Sequence, residues 1–314
     1  MKKSILILGG CGYIGTKLYQ YLLKKKYSVN SIDLEWFGNP GKVKNTKKDI
    51  ANLEKKDIEK YSDIILLAGH SSVKMCVNSP ISAFKNNVSN FIHILSLLKD
   101  DQKLIYASSS SVYGNTKNSI VDEEYNDFKP NNFYDLTKKE IDCYTELLNK
   151  NIFGLRFGTV NGYSPNFRND IMINAMTYNA INNKKVFCFN PEVKRPILCI
   201  DDLCRCFKAI IDNKNNIRKG IYNLSSFNSN ALKISKKVAE ITNSNLEIVT
   251  EIPKEITNVK LQTKAYNFMI DNSKFCNDFN FIFESDIESI INSIKNNYNK
   301  IKSCGRINEK LYDN

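Results

Sequence analysis

Two residues in the stretch FYDLTKKE (133–140) could perform acid–base chemistry together. Tyr134 and Lys138 lie four positions apart, so a helix would place them on one face. A tyrosine with an ordinary pKa of about 10 is a poor base at neutral pH, but a neighbouring ammonium favours its phenolate. The pair could therefore abstract a proton from a substrate hydroxyl, which a serine at the end of a parallel strand could hold. The stretch YASSSSVYG (106–114) offers such serines.

A glycine-rich turn could hold a dinucleotide. In GGCGYIG (9–15) glycines stand at positions 9, 12 and 15, directly after the apolar run SILIL (4–8). The first would permit a tight turn, and the second would let a pyrophosphate approach the start of a helix. The third would allow that helix to pack closely on the sheet. The spacing is GxxGxxG rather than the GxGxxG of the dinucleotide fingerprint.

Asp33 adds to this prediction, because it ends the second predicted strand, 18 residues after Gly15. An acidic residue near this position accepts hydrogen bonds from the adenosine ribose. A carboxylate there would repel the extra phosphate of NADP, so the predicted cofactor is NAD. An aspartate that ends a strand is also an ordinary turn residue.

The amino-terminal residues have a second interpretation. KKSILILGGC, which ends at Cys11, is similar to a bacterial lipoprotein signal. Its apolar part is only ILIL, whereas a signal core has roughly 7–15 residues. No apolar run approaches the roughly 18 residues of a membrane-spanning helix. We therefore expect a cytoplasmic protein without a membrane partner.

Composition narrows the remaining possibilities. Hydrophobic residues make up 42% of the 314 residues, which is typical of a folded protein of one or two domains. The nine cysteines are scattered and odd in number, which fits a reducing compartment better than a disulfide framework. Cys204 and Cys206 could belong to a metal site, but with only two histidines in the chain buried thiols are the expectation, and no metal is predicted. The net charge of +12 fits phosphorylated ligands or nucleic acid and does not decide between them.

Strands and helices alternate in the first half of the chain. The pattern predicts strands at 4–8, 28–33, 63–68 and 103–108, and helices at 13–26, 80–99 and 132–149. This alternation implies right-handed crossovers and a parallel sheet, and the continuously apolar strands fit a sheet covered on both faces. In the less regular second half we predict helices at 170–182, 201–213 and 285–301, and strands at 184–190, 195–200 and 220–225.

The ordered set of motifs resembles the extended short-chain dehydrogenase/reductase family, in particular its nucleotide-sugar epimerases and dehydratases, such as UDP-galactose 4-epimerase-like enzymes. The matching pieces are GGCGYIG, Asp33, Asp49–Ile50, LLAG (66–69), Asn86–Asn87, SSSSVYG, YDLTK and RPILCIDD (195–202). The resemblance covers most of the chain. It favours the pyrophosphate turn over the lipoprotein signal.

The resemblance implies an α/β fold with a Rossmann-type doubly wound parallel sheet and a smaller α/β substrate-binding lobe. Residues 1–168 with 196–224 would form the NAD-binding domain. Residues 169–195 with 225–314 would form the nucleotide-sugar-binding lobe. It further implies a homodimer through the helices at 80–99 and 132–149, packed as a four-helix bundle.

The resemblance also assigns roles to residues that match the family. Ser109 is the catalytic serine, Tyr134 the general base, and Lys138 its partner, which also binds the nicotinamide ribose. The implied cofactor-binding residues are Gly9, Gly12, Tyr13, Ile14, Gly15, Asp33, Asp49, Ile50, Leu67, Ala68, Gly69, Asn86, Tyr134 and Lys138. The implied substrate-binding residues are Ser71, Ser109, Asn174, Arg195 and Lys264.

Some positions depart from the family pattern. The 4,6-dehydratases have Asp and Glu before VYG, where this chain has Ser110 and Ser111, so elimination of water is not expected. Lys264 stands where relatives often have arginine, and lysine lacks the bidentate fork for phosphate. The stretches DLEWFGN (33–39) and SPNFRNDIMIN (164–174) are similar to a subgroup associated with surface-polysaccharide sugars.

The resulting hypothesis is an NAD-dependent nucleotide-sugar epimerase that oxidises the sugar at C4. Tyr134 would take the hydroxyl proton and Ser109 would position the oxygen. A 4-dehydrogenase or 4-ketoreductase using the same residues is the first alternative. A non-catalytic dinucleotide sensor or nucleic-acid-binding member of the fold is the second, although such a protein would have no need of Ser109, Tyr134 and Lys138 together. No nucleic-acid partner is expected.

Overall fold

The computed structural model describes residues 3–128, 130–213, 219–250 and 267–303, and the secondary structure given below is that of these ranges. The strands are β1 Ser4–Leu8, β2 Ser28–Ile32, β3 Asn45–Thr46, β4 Asp63–Leu66, β5 Lys103–Ser109, β6 Ile120–Val121, β7 Ile152–Phe157, β8 Thr159–Asn161, β9 Lys185–Phe189, β10 Lys194–Cys199, β11 Gly220–Leu224, β12 Phe227–Asn230, β13 Asn245–Val249 and β14 Met269–Ile270. The helices are α1 Tyr13–Lys24, α2 Lys55–Ile58, α3 Val73–Asn78, α4 Pro80–Phe84, α5 Asn90–Leu97, α6 Phe133–Leu147, α7 Met172–Asn183, α8 Ile200–Asp212, α9 Ala231–Thr242, α10 Ser273–Phe279, α11 Ile287–Lys295 and α12 Tyr298–Ser303.

A parallel sheet of seven strands, in the order β11–β7–β5–β4–β1–β2–β3, is the centre of the fold in the described ranges. All neighbours in it run parallel. The chain builds outward from β1 to β2 and β3 on one side, then returns to place β4 on the other side. The carboxyl ends of the strands therefore open a crevice at the switch between β1 and β4, where ligands bind in such sheets. The predicted doubly wound parallel sheet is confirmed.

Helices cover both faces of this sheet, as the apolar strands predicted. Helices α1 and α8 contribute Leu18, Leu22 and Phe207 to the core on one face. Helices α5 and α6 contribute Phe91 and Ile141 to the core on the other. Since neither face meets water, the strands need no polar alternation, and the side chains of β1 from Ile5 to Leu8 are fully buried.

A separate core forms in the second half of the chain. Helices α7, α9 and α11 pack together around isoleucines and valines, among them Ile173, Val186, Ile234 and Ile290. Beside them lie the sheet β12–β10–β8 and the parallel pair β13–β9. This second core supports the proposed smaller lobe. Its boundaries, 169–195 with 225–314, remain a proposal.

The structure differs from the predicted elements in several segments. The unpredicted elements include helices α2, α3, α9 and α10 and strands β3, β6, β8, β12, β13 and β14. Strand β7 was not predicted, although it lies between β5 and β11 in the sheet. The helix predicted at 80–99 is α4 and α5 joined by a π-helical turn, Lys85–Ser89. The helix predicted at 285–301 is divided into α11 and α12. No helix in the described part of the chain is long and apolar enough to cross a membrane.

Candidate active site

A cavity of about 510 Å³ opens at the carboxyl ends of β1, β4 and β5. Its wall contains every residue that the sequence assigned to the cofactor, together with Ser71 and Ser109. Those cofactor residues are Gly9, Gly12, Tyr13, Ile14, Gly15, Asp33, Asp49, Ile50, Leu67, Ala68, Gly69, Asn86, Tyr134 and Lys138. The topology thus brings together segments that lie more than a hundred residues apart in the chain.

The turn between β1 and α1 has the shape that a pyrophosphate needs. At Gly15 a Cβ atom would lie 2.2 Å from the carbonyl oxygen of Gly9, so only glycine lets the helix approach the turn this closely. At Gly12 an added Cβ would meet only the Gly9 oxygen, at 3.5 Å, so the space beyond it is open. Helix α1 begins there without a side-chain cap and without an acidic residue in its first turn. Its amino-terminal N–H groups and positive dipole end therefore suit an anion.

Asp33 directly follows β2, lies beside this turn and is fixed by two backbone donors. Its Oδ2 accepts the N–H of Cys11 at 3.0 Å, and its Oδ1 accepts the N–H of Glu35 at 2.6 Å. Burial raises the pKa of the carboxyl despite these bonds. Asp49 caps the short 3-10 turn Ile50–Asn52 by accepting the N–H of Ala51. This part of the wall can hold a ribose through Asp33 and an adenine against the apolar side chain of Ile50.

The residues after β4 form the next part of the wall. Gly69 has a φ of +148°, a conformation that side chains disfavour, and its added Cβ would lie 2.6 Å from Oδ1 of Asn87. Asn87 accepts the N–H of His70 at 2.8 Å and donates to Thr137 of α6 at 3.1 Å. The π-helical turn thereby places Asn86 at the cavity and Asn87 behind it. A π turn of this kind is frequently found at functional sites.

Ser109, Tyr134 and Lys138 lie together on one side of the cavity. Ser109 ends β5, and Tyr134 and Lys138 lie in the first two turns of α6. Helix α6 is capped by Asn132, whose side chain accepts the N–H of Asp135 at 3.0 Å. The ammonium of Lys138 donates to the carbonyl of Ala107 at 2.7 Å and lies 5.8 Å from the centre of the Tyr134 ring. The predicted catalytic constellation is thus assembled from a strand end and a helix start.

The pKa of Tyr134 differs from the expectation that a neighbouring ammonium would favour its phenolate. Burial raises the pKa of Tyr134 to about 12, although the hydroxyl of Ser109 and the charge of Arg168 lower it. Burial lowers the pKa of Lys138 to about 8. In the protein without ligand the phenol is therefore neutral at pH 7, because the cost of burying a phenolate exceeds the help from its neighbours.

Asn174, which was predicted to bind the substrate, is not among the residues that line the cavity but bonds to two residues that do, Tyr13 and Arg168. Its amide is fully buried: it accepts the N–H of Gly162 at 2.8 Å and donates to the carbonyl of Arg168 at 2.8 Å and to the Tyr13 hydroxyl at 3.2 Å. Ser164 and Asn166 donate to the carbonyls of Tyr13 and Cys11. The segment 164–174 thus holds the glycine turn in place through hydrogen bonds to Cys11 and Tyr13, and Asn174 contributes one of them.

Arg195, which was also predicted to bind the substrate, is not among the residues that line the cavity. Arg195 donates to the carbonyl of Lys194 at 2.8 Å, and its guanidinium lies 4.9 Å from the centre of the Phe268 ring. Phe268 itself lines the cavity, so Arg195 is one side chain removed from it. Lys264 lies outside the described residues.

Sequence reasoning missed several residues of the wall. Arg168 lines the cavity, pairs with Asp170 at 2.7 and 3.0 Å, and donates to the carbonyl of Ser71 at 3.4 Å. His70 is 6% exposed, its ring faces Trp36 at 5.9 Å, and its Nδ1 has no hydrogen-bond partner in the described structure. Arg168 lies in the stretch 164–174, and His70 directly follows the matching segment LLAG (66–69). No signal in the sequence showed that these segments meet.

The two cysteines of α8 lie in the core rather than at a metal site. Cys204 and Cys206 are fully buried in the apolar core, as predicted. In the described ranges no group of three or more His, Cys, Asp or Glu side chains is arranged to hold a metal ion.

A doubly wound sheet with a glycine turn at its switch point and a Ser–Tyr–Lys group beside it defines a dinucleotide-dependent enzyme. The model of the NAD dependent epimerase/dehydratase family matches residues 5–225, and the chain belongs to this family. The predicted family and its NAD dependence are thereby confirmed.

Similar proteins include several epimerases. Protein CapI of Staphylococcus aureus is 27% identical over 66% of this chain and 69% of its own length. UDP-glucuronate 4-epimerase 6 of Arabidopsis thaliana is 27% identical over 66% of this chain, which spans only 51% of that protein. Among solved structures, a UDP-glucuronic acid 4-epimerase from Bacillus cereus, in complex with NAD and a fluorinated UDP-glucuronic acid, has a TM-score of 0.79 at 22% identity and covers 96% of this chain and 100% of its own. At that identity the last likeness shows the fold alone.

Proposed function

We propose that the protein is an NAD-dependent nucleotide-sugar epimerase that acts through oxidation at C4 of the sugar. The observation that carries this proposal is the position of Ser109, Tyr134 and Lys138 in the wall that also contains the glycine turn. One cavity can therefore hold a dinucleotide and a hydroxyl-bearing ring side by side.

The side chains have separate roles in this proposal. Ser109 holds the C4 oxygen, and Tyr134 takes and later returns the hydroxyl proton. The ammonium of Lys138 binds the nicotinamide ribose and lowers the pKa of Tyr134 once ligands have displaced water. Bound NAD would supply the hydride acceptor, and the side chains would orient the sugar and stabilise developing charge.

Arg168 supports a sugar that carries a carboxylate, such as UDP-glucuronate. Its charge reaches the catalytic end of the cavity, because it lowers the pKa of Tyr134. Its present partner, Asp170, is 48% exposed and so can be displaced by a ligand carboxylate. A planar guanidinium binds a carboxylate through two parallel hydrogen bonds. The UDP-glucuronate 4-epimerases among the relatives favour the same substrate class.

Identification of the bound nucleotide tests the cofactor and the reaction type. The purified protein is denatured without added cofactor, and the released nucleotides are identified by mass and absorbance. About one NAD or NADH per chain, together with interconversion of UDP-glucuronate and its C4 epimer without net redox change, would support the epimerase. Consumption of a second redox partner would instead support the 4-dehydrogenase or 4-ketoreductase. Steeply salt-dependent DNA binding without turnover would support a non-catalytic role.

Replacement of the proposed base tests the mechanism. In Tyr134→Phe we expect turnover to fall by about 10³-fold, within the range for loss of a general base, while NAD content stays near one per chain. Unchanged turnover in a folded Tyr134→Phe protein would contradict the mechanism.

Replacement of Arg168 tests the substrate class. Arg168→Gln should raise KM for UDP-glucuronate at least tenfold and alter KM for UDP-glucose less than threefold, because only the uronate offers a carboxylate. Equal effects on both substrates would remove the reason for preferring a uronate.

The predicted homodimer remains a proposal, supported by an exposed apolar surface on α3, α4 and α6. Its members are Val77, Ile81, Phe84, Phe133, Tyr144 and Leu147, the last 88% exposed. Exposed apolar patches of this kind mark interfaces. Ile81→Glu with Leu147→Glu should give a monomer by sedimentation, whereas Ile282→Glu, which changes another exposed isoleucine, should not. A double variant that sediments like the unmodified protein would contradict this interface.

The proposed setting is the synthesis of surface-polysaccharide sugars in the cytoplasm. The role in polysaccharide synthesis rests on the resemblance of the stretches 33–39 and 164–174 to a subgroup associated with surface-polysaccharide sugars. The cytoplasmic location rests on the cysteines, since those in the described ranges are free thiols.

A further inference from the structure

A row of hydrogen bonds leads from Ser109 into the protein interior. The hydroxyls of Ser109 and Ser111 lie 2.8 Å apart, and that of Ser111 donates to Oδ1 of Asp135 at 2.5 Å. The other carboxylate oxygen of Asp135 accepts from the amide of Asn132 at 2.7 Å. Asp135 is 1% exposed, although it directly follows the proposed base Tyr134 in the chain. The carboxylate thus lies at the inner end of a path that begins at the reacting hydroxyl.

The chemistry of the three groups fixes the direction of the path. An ionised carboxylate can only accept hydrogen bonds, so the single proton of the Ser111 hydroxyl points to Asp135. Ser109 must then be the donor in its bond to Ser111. The oxygen of Ser109 also accepts the backbone N–H of Ser111 at 3.2 Å, which leaves one acceptor position. That position serves a donor in the cavity, either the Tyr134 phenol or a substrate hydroxyl.

The proposed mechanism has a use for such a path, because the Tyr134 phenol must lose its own proton before it can act as a base. A neutral phenol can hold a substrate oxygen but cannot take another proton until its own has gone elsewhere. Water has little access to the Ser109 side of the site, because Ser109 is only 8% exposed. A buried carboxylate two hydroxyls away provides a place for that proton without contact with water.

We propose that Asp135 is the proton store of the active site, reached from the Tyr134–substrate pair through Ser109 and Ser111. One proton enters at the oxygen of Ser109, the Ser109 proton moves to Ser111, and the Ser111 proton moves to Oδ1 of Asp135. Three O–H bonds form as three break, and no electron is gained or lost. The reverse movement returns the proton when the sugar hydroxyl is restored. Asp135 and Ser111 therefore act as positioning and relay residues behind Ser109.

The charged and titratable groups around Asp135 are compatible with this role. Its charge raises the pKa of Tyr134 and of the Cys76 thiol in α3. Cys76 is itself fully buried, and burial is the largest cause of its raised pKa. It therefore stays protonated at neutral pH and does not compete for the proton. Lys138, one turn further along α6, is acted on by the charge of Asp142 and by Cys76.

The relay rests on the proposed function, so its test uses the NAD-loaded protein with UDP-glucuronate as the probe substrate. The variants are Ser111→Ala, which breaks the path, Asp135→Asn, which removes its acceptor, and Ser111→Thr, which keeps the hydroxyl. For Ser111→Ala and Asp135→Asn we expect kcat to fall 10- to 100-fold at pH 7, with KM and NAD content unchanged. Part of the lost turnover should return as the pH rises, because hydroxide can then remove the proton. Ser111→Thr should stay within threefold of the unmodified enzyme.

A matched control makes the same acid-to-amide change elsewhere on the helix. Glu140→Gln alters α6 outside the cavity wall and should leave kcat and its pH profile unchanged. If Asp135→Asn does not fold, the comparison of Ser111→Ala with Ser111→Thr decides the question. A folded Ser111→Ala enzyme with the kcat and pH profile of the unmodified protein would overturn the relay alone. An unmodified holoenzyme that interconverts no UDP sugar would overturn the proposed function and the relay with it.

Discussion

The glycine turn and the substrate end of the cavity differ in how well their residues could be predicted from the sequence. Every residue assigned to the cofactor lies in the cavity wall, from Gly9 to Lys138. At the substrate end the predicted Asn174 and Arg195 are not among the residues that line the cavity, while the unassigned Arg168 is. The cofactor half follows from strand ends and glycines, which the chain order places at one edge of a parallel sheet. The substrate half depends on contacts between long side chains that come from separate segments of the chain.

This difference has a physical cause. A glycine in a tight turn is required by backbone geometry, so its position is a local property of the sequence. An arginine or asparagine reaches several ångströms from the backbone and finds its partner only after distant segments have packed. Asn174 has the polarity expected of a phosphate ligand, yet its three hydrogen bonds all go to the protein.

The largest effect should come from Gly15→Ala. The added methyl would lie 2.2 Å from the Gly9 oxygen and 2.7 Å from the Gly10 Cα, both backbone atoms that cannot turn aside. We expect the helix to shift away from the turn, with NAD affinity reduced more than about 100-fold and a lower melting temperature. Calorimetric titration with NAD and thermal unfolding measure the two effects.

Gly12→Ala separates ligand binding from folding within the same turn. Its added methyl meets nothing closer than 3.5 Å and its φ of −69° suits alanine, so stability should not change. Because the methyl faces the cavity, NAD affinity should still fall. If Gly12→Ala bound NAD as well as the unmodified protein, the pyrophosphate would not lie at this turn.

Asn174→Ala tests whether this residue positions the turn or binds the substrate. Loss of its buried amide leaves three polar groups without their partner, so the free energy of unfolding should fall by about 3 kcal/mol. NAD affinity should fall about tenfold as the turn loosens, since Tyr13 belongs to the first turn of α1. Urea unfolding and calorimetry measure both, and Asn182→Ala, an exposed asparagine on the same helix, is the control. Unchanged stability with weaker UDP binding would restore the predicted role at the substrate.

Strand β7 shows why part of the fold was not predicted. Its sequence, IFGLRF, contains a glycine and an arginine, which are unusual in a central strand. Gly154 is required because a Cβ there would lie 2.3 Å from the Tyr106 hydroxyl. Arg156 is 1% exposed and pairs with the buried Asp142 of α6 at 2.7 Å. Both features depend on tertiary neighbours, whereas β1 and β4 were predicted from the apolar runs ILIL (5–8) and IIL (64–66), which need only be buried.

The catalytic group could be predicted because its spacing is a local property of the sequence that does not depend on tertiary neighbours. The path taken by its protons could not be predicted. The four-residue spacing of Tyr134 and Lys138 is a helical property that the sequence states directly. The path through Ser111 to Asp135 joins a strand end to a helix start across 24 positions of the chain. Asp135 is an ordinary residue of a first helical turn by sequence, and only its burial beside Ser111 indicates another role.

The smallest predicted effect is a pH dependence of cofactor binding at the catalytic end. Burial lowers the pKa of Lys138 to about 8, so its ammonium is present below that pH and is lost above it. A charged donor binds ribose hydroxyls more strongly than a neutral amine, and NAD affinity should fall about fivefold between pH 7 and pH 9. Calorimetric titration of the cofactor-free protein with NAD measures this fall. Lys138→Arg keeps the charge throughout and should bind equally at both pH values, so that a fall of the same size in that variant would assign the pH dependence to another group.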